Sequence, residues 1–203
     1  MTQPKSPIQA PPAPTMPVHS PEDLQAVRRL LAYIGEDPDR EGLLETPARF
    51  LKAWEEYTRG YRMNPEEILK SFEDGAQRVD EMVIVRDIPV YSLCEHHLAP
   101  FFGKAYVGYV PDKRILGLSK ISRLVEIYGR RLQVQERLTN QIADALDTHL
   151  KPLGVAVVIE CRHMCMESRG VRHTGTATVT SALRGNIKTN ADTRREFLSL
   201  IGR

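Results

Sequence analysis

The chain has 203 residues, 41% hydrophobic and 27% charged, with a formal net charge of +2. That length allows one domain, or a domain with an appendage, around a sizeable core. The small net charge makes no case for nucleic acid or membrane, and no apolar run approaches the ~20 residues of a membrane helix.

The N-terminus has no signal-peptide apolar core, so a cytoplasmic location is expected. Residues 1–19 include Pro11-Pro12-Ala13-Pro14 and hold too little apolar surface to fold, so a disordered tail is expected. Order should begin at Ser20-Pro21-Glu22-Asp23: serine caps a helix, proline suits its first position, and acids suit its first turn. Leu24, Val27, Leu30, Leu31 and Ile34 follow at helical spacing, and Gly35 should end the helix. Thr46-Pro47 opens a second helix with Phe50, Leu51, Trp54 and Tyr57 on its apolar side. Arg49 and Lys52 lie on its other side. A third short helix is expected from Asn64-Pro65 through Phe72.

The pattern then changes. Met82 to Ser92 is rich in Val and Ile and reads as a strand, with Pro89 marking an edge or bulge. A second strand is expected over Gly103–Val110, followed by a turn at Pro111-Asp112-Lys113. Gly117-Leu118-Ser119-Lys120 leads into a helix that Gly129 stops, and Val134–Leu150 reads as a longer one. Val155–Cys161 and Thr174–Leu183 are the third and fourth strands, and Asp192 should cap a last helix. The order implies an α+β fold: an antiparallel four-stranded sheet with helices on one face, preceded by an N-terminal helical arm over 20–80. The sheet domain is 81–203. Its open edges would be protected if subunits joined sheets in a ring.

All three cysteines and three of six histidines lie in Cys94-Glu95-His96-His97 and Cys161-Arg162-His163-Met164-Cys165. Cys94 and His97 are three apart, so one tight turn can aim both at an ion. His163 and Cys165 would share one side of an extended strand. Thiolate and imidazole are zinc donors. An odd cysteine count beside histidine fits metal in a reducing compartment better than disulfides. Cys161 shares the parity of Cys165, so spacing leaves open a closed four-ligand structural site with Cys161 as the fourth donor. A zinc-stabilised binding module is the competing class, but aromatics do not interleave with the basic residues. Ser119 by itself reads first as a helix cap.

Together, Cys94-Glu95-His96-His97, Gly117-Leu118-Ser119-Lys120, Val134-Gln135-Glu136-Arg137-Leu138-Thr139, His163-Met164-Cys165, Arg169-Gly170 and Thr193-Arg194-Arg195-Glu196-Phe197-Leu198 resemble the GTP cyclohydrolase I family over roughly residues 20–203. The resemblance implies the tunnelling fold, a homodecamer with active sites shared between subunits, and Zn2+ as cofactor. It implies a hydrolase that converts GTP to formate and 7,8-dihydroneopterin triphosphate, the entry to folate and pterin synthesis. It implies Cys94, His97 and Cys165 as zinc ligands, His96, His163 and Ser119 as catalytic, and Gln135 and Glu136 at the guanine. Lys120, Arg123 and Arg169, with Ser119, would hold the triphosphate, aided by Arg49 and Lys52. Cys161 departs from the small residue expected there.

Overall fold

The computed structural model describes residues 19–69, 71–72 and 79–203. The expected tail lies outside them, apart from His19. The chain divides after Glu55 into two compact units.

The first unit begins with α1, Pro21–Tyr33. Ser20 caps it through a reciprocal box: its hydroxyl accepts from Asp23 N–H and the Asp23 carboxylate accepts from Ser20 N–H. Gly35, at φ +90°, ends it in the left-handed region open to glycine. Of the expected apolar face only Val27 is buried, and Leu30 and Ile34 are exposed. In α2, Thr46–Tyr57, Phe50 and Trp54 pack one turn apart with ring centroids 5.5 Å apart.

The second unit is built on a sheet in the order β5-β2-β3-β6-β7. Its strands are β2 (Val83–Cys94), β3 (Pro100–Val110), β5 (Leu132–Gln133), β6 (Gly154–His163) and β7 (Ala177–Arg184). β2, β3, β6 and β7 are the expected antiparallel four, and this is the tunnelling-fold arrangement. The two-residue β5 adds a parallel pair, Leu93 with Leu132 and Cys94 with Gln133. That pairing is too short to leave a hydrophobic run in the sequence. A separate ladder joins β1 (Ser71–Phe72) to β4 (Ile115–Leu116). The helix from Asn64 is one turn, α3 (Pro65–Ile68), so Phe72 belongs to a strand instead.

Helices α4 (Leu118–Gly129) and α5 (Gln135–Leu150) cover one face of the sheet. Ile121, Leu124, Leu138, Ile142 and Leu146 are fully buried against the odd-numbered residues of β3 and β6. The other face carries a smaller cluster in which Ala156 and Val158 meet Ile187 of α7 (Gly185–Thr189) and Phe197 of α8 (Ala191–Leu200). Asn190, rather than Asp192, caps α8, accepting from the N–H groups of Asp192 and Thr193.

β2 serves both faces. One extra residue lies between the pairs Val85–Val107 and Ile88–Ala105. Asp87 there is left-handed, at φ +58°, and accepts from Lys104 Nζ at 2.8 Å. Asp tolerates that region because its short polar side chain bonds locally. Pro89 lies just past this bulge, where β2 has β3 on one side only. A missing N–H costs nothing on that free side.

Candidate active site

Cys94 ends β2, and the next residues form the expected tight turn. The N–H groups of His97 and Leu98 donate to Cys94 O at 3.3 and 2.8 Å. Leu98 closes the turn at φ +54°. From the other half, β6 stops at His163, and Cys165 lies on the one-turn helix α6, Met164–Glu167. Cys165 therefore arrives on a helical turn and does not share an extended strand with His163.

The two halves converge. One donor atom each from Cys94, His97 and Cys165 lies within 4.8 Å of the other two. A tetrahedral zinc places two thiolate sulfurs about 3.8 Å apart, given Zn–S bonds of about 2.3 Å. Two sulfurs and an imidazole make a donor set that suits zinc and not a hard oxygen-seeking ion. His96 sits beside them, its Nδ1 3.9 Å from Cys94 Sγ, against 4.0 Å for His97 Nδ1. Burial and the neighbouring Cys94 hold the Cys165 thiol above its ordinary range, while the Arg169 charge works in the other direction.

Cys161 does not join this group. It is buried in the core, and burial alone pushes its thiol up to about 12. Among the described residues the cluster has three donors, which matches a catalytic rather than a closed zinc site. The expected labelling follows. In folded protein at pH 8, an alkylating reagent should reach Cys94 and Cys165 only after a chelator strips the metal. Cys161 should stay unlabelled in both states and react only on unfolding, as read by peptide mass spectrometry. Labelling of Cys161 in the folded chain would contradict its placement.

His163 is held from two sides. Its ring stacks on Phe101 at 4.7 Å, tilted by 8°. Its Nε2 is 2.8 Å from Gln135 Oε1. Gln135 Nε2 donates to Ile159 O, Thr178 O and Thr180 Oγ1 at 3.0, 2.9 and 3.1 Å. Two of those partners are carbonyls, which only accept, so the amide orientation is fixed and Oε1 must accept from His163 Nε2–H. Burial lowers the imidazole pKa and the Glu136 charge opposes that shift. Glu136 is exposed in the first turn of α5, next to the buried Gln135.

The remaining expected residues are more dispersed. Ser119 and Lys120 occupy the first turn of α4, but Gly117 is its cap and Ser119 makes no capping bond. Arg123 lines a groove of about 270 Å³ with Tyr91, Ser122, Glu126 and Arg130, and none of the Cys–His residues lines it. Arg169 is exposed just beyond α6. Arg49 belongs to the first unit, where it pairs with Glu45, and Lys52 is exposed on the same helix. Spacing did not single out Phe101, Glu95, Arg137 or the Arg162–Glu167 pair. Glu167 is buried and takes Arg162 Nε at 2.8 Å, bracing the turn that carries Cys165.

A tunnelling-fold sheet that brings two thiols and an imidazole together beside a braced histidine defines a zinc-dependent hydrolase. The cofactor that this donor set fits is Zn2+. The sequence model of GTP cyclohydrolase I matches residues 24–202. The chain is 58% identical over 190 residues to GTP cyclohydrolase 1 of Janthinobacterium sp. (strain Marseille), covering 91% of this chain and 96% of that protein. It is 58% identical over 173 residues to that of Nitrosospira multiformis, covering 85% and 91%. For the Saccharomyces cerevisiae protein the identity is 57% over 181 residues, covering 88% and 73%. The chain belongs to the GTP cyclohydrolase I family and carries that family's hydrolase chemistry. No helix among the described residues is long and apolar enough to cross a membrane.

Proposed function

We propose that this chain hydrolyses GTP at C8 of guanine, releases formate, and recloses the product to 7,8-dihydroneopterin triphosphate for folate or pterin synthesis. The observation that carries this reading is the convergence of Cys94, His97 and Cys165; His163 is two residues from Cys165 and feels the Glu136 charge. Bound by the triad, Zn2+ would supply Lewis acidity and a coordinated water with its pKa lowered to about 7. The chain's own groups do the rest. His163, fixed by Gln135 and Phe101, donates a proton at guanine N7 and makes C8 more electrophilic. Two waters are consumed, one opening the imidazole ring and one freeing formate. The ribose then rearranges and recloses on the amine with loss of one water. His96 and Ser119 are assigned to proton movement in these later steps.

Glu136 accepts from guanine N1–H and N2–H, a donor pair that adenine lacks. Gln135 joins Glu136 at the base: its Oε1 meets His163 Nε2 and keeps a second lone pair for a guanine N–H. Lys120, Arg123 and Arg169, with Ser119, hold the triphosphate, and Arg49 and Lys52 assist. The separation of the Arg123 groove from the metal cluster supports an oligomer, a decamer by family, whose sites draw on more than one subunit.

The test is incubation of purified protein with GTP, with and without a chelator, following formate and the fluorescence of the oxidised pterin. Chelator-sensitive formation of both is expected, and no formate from zinc-loaded protein would defeat the proposal. Replacing Glu136 with alanine should retain zinc yet reduce kcat/KM for GTP by roughly 30- to 150-fold, the equivalent of about 2–3 kcal/mol. Unchanged turnover in Glu136→Ala would remove it from base recognition.

A further inference from the structure

The turn that carries Cys94 and His97 is tied to the start of α5 by contacts that zinc ligation and base recognition do not use. Glu95 N–H donates to Gln133 O at 3.0 Å, extending the short β2–β5 pairing into the turn. The Glu95 carboxylate pairs with the Arg137 guanidinium. Arg137 also donates through Nε to Gln133 Oε1 at 3.0 Å and through Nη2 to Leu132 O at 3.2 Å.

Gln133 is itself fixed. It is 1% exposed, and its Nε2 donates to Tyr128 O at 2.9 Å and Gln141 Oε1 at 2.8 Å. Both amide hydrogens are used, so Oε1 can only face Arg137. A buried, saturated glutamine thus aims the guanidinium at Glu95, and little side-chain freedom remains to be lost when the pair forms. Arg137 follows Glu136 on α5, and Glu95 lies between Cys94 and His97.

We propose that Glu95 and Arg137 are positioning residues, a strut that fixes the metal-binding turn relative to the helix that reads the guanine. The inference rests on the reading of Cys94 and His97 as zinc ligands and Glu136 as the base acceptor. The strut bears on both ligands of the turn, because Glu95 follows Cys94 directly and precedes His97 by two residues. It also holds the distance between the metal and the base-binding carboxylate, because Arg137 neighbours Glu136. Partners hydrogen-bonded to a metal ligand change affinity by about 10- to 100-fold when lost, and the strut, one contact further out, is expected at the low end.

The test uses full-length, zinc-loaded protein and the variants Glu95→Gln, Arg137→Met and the double variant. Zinc affinity is read by competition with a chelating dye, kcat and KM by formate release, and folding by the unfolding midpoint of metal-free protein. Each single variant should bind zinc about tenfold more weakly and lose kcat more than KM changes. The double variant should be no worse than the poorer single, since both remove one interaction. The metal-free midpoint should hardly move, because a half-exposed ion pair contributes little to folding. Wild-type zinc affinity in both singles, additive losses in the double, or a lowered metal-free midpoint with zinc affinity intact would each overturn the strut. A wild-type chain that retained no zinc would instead overturn the reading beneath it, and the strut with it.

Discussion

Replacing Cys165 with alanine is expected to empty the metal centre and lower formate release by about a thousandfold or more, as loss of one member does in catalytic groups that act as a unit. Among the described residues no fourth donor joins the triad to take its place. Cys161 is four residues away in sequence but sits in the core, outside the convergent cluster. His96 lies 3.9 Å from Cys94 Sγ, yet the three convergent donors are Cys94, His97 and Cys165. The fold should survive, because Cys165 is only half-buried on a one-turn helix and the Arg162–Glu167 pair still braces that turn. Zinc per chain by atomic absorption, beside circular dichroism, checks both halves of the expectation. Cys161→Ala is the matched control and should keep its zinc. Full zinc occupancy in Cys165→Ala would refute the three-donor site.

The largest effect on stability is expected at Gly103. It lies in β3 opposite Val90 of β2 on one side and Cys161 of β6 on the other. A Cβ there would fall 1.9 Å from Glu160 O and 2.7 Å from Cys161 Cα. Both atoms are backbone in the most buried strand of the sheet, so no side chain can swing aside. Gly103→Ala should therefore cost about 3 kcal/mol or more, above the usual overpacking range because strands must separate. For a unit of this size that is roughly 6–12 °C in the unfolding midpoint. Activity should fall too, since Phe101, two residues along, carries the His163 ring. A midpoint within a degree of wild type would show that β3 and β6 are not held this closely.

The legible parts of this molecule had strong local signals. Ser20-Pro21 announced α1 to the residue, and Gly117-Leu118 and Val134-Gln135 marked the starts of α4 and α5 to within one or two residues. The four main strands were visible because β-branched runs are bounded by Gly, Pro and charged turns. The ligand halves were visible because Cys and His concentrate in two short segments. What failed was what only a partner in space decides. β5 is two residues long and exists because β2 runs beside it. Cys165 was placed by parity on a strand, but the chain turns after His163. Gln135 stands at the base only by the family resemblance, and its bonds to β6 and β7, which hold its amide beside His163, have no mark in the sequence. Arg137 and Glu95 are 42 positions apart, and an ion pair at that distance leaves no spacing to read.

The irregularity near Asp87 matters for how this sequence can change over time. Upstream of it Val83 and Val85 face α4 and α5, and downstream Ile88, Val90 and Cys94 do. The switch from odd to even numbers is what delivers the Cys94 sulfur to the same side as the helices. Length variation is cheap in most surface connections, but a one-residue deletion at this point would rotate everything after it by half a turn and point the first thiol away from its partners. Exposed positions of this strand, such as Arg86, can change in identity, but its length cannot change without moving Cys94 off its face.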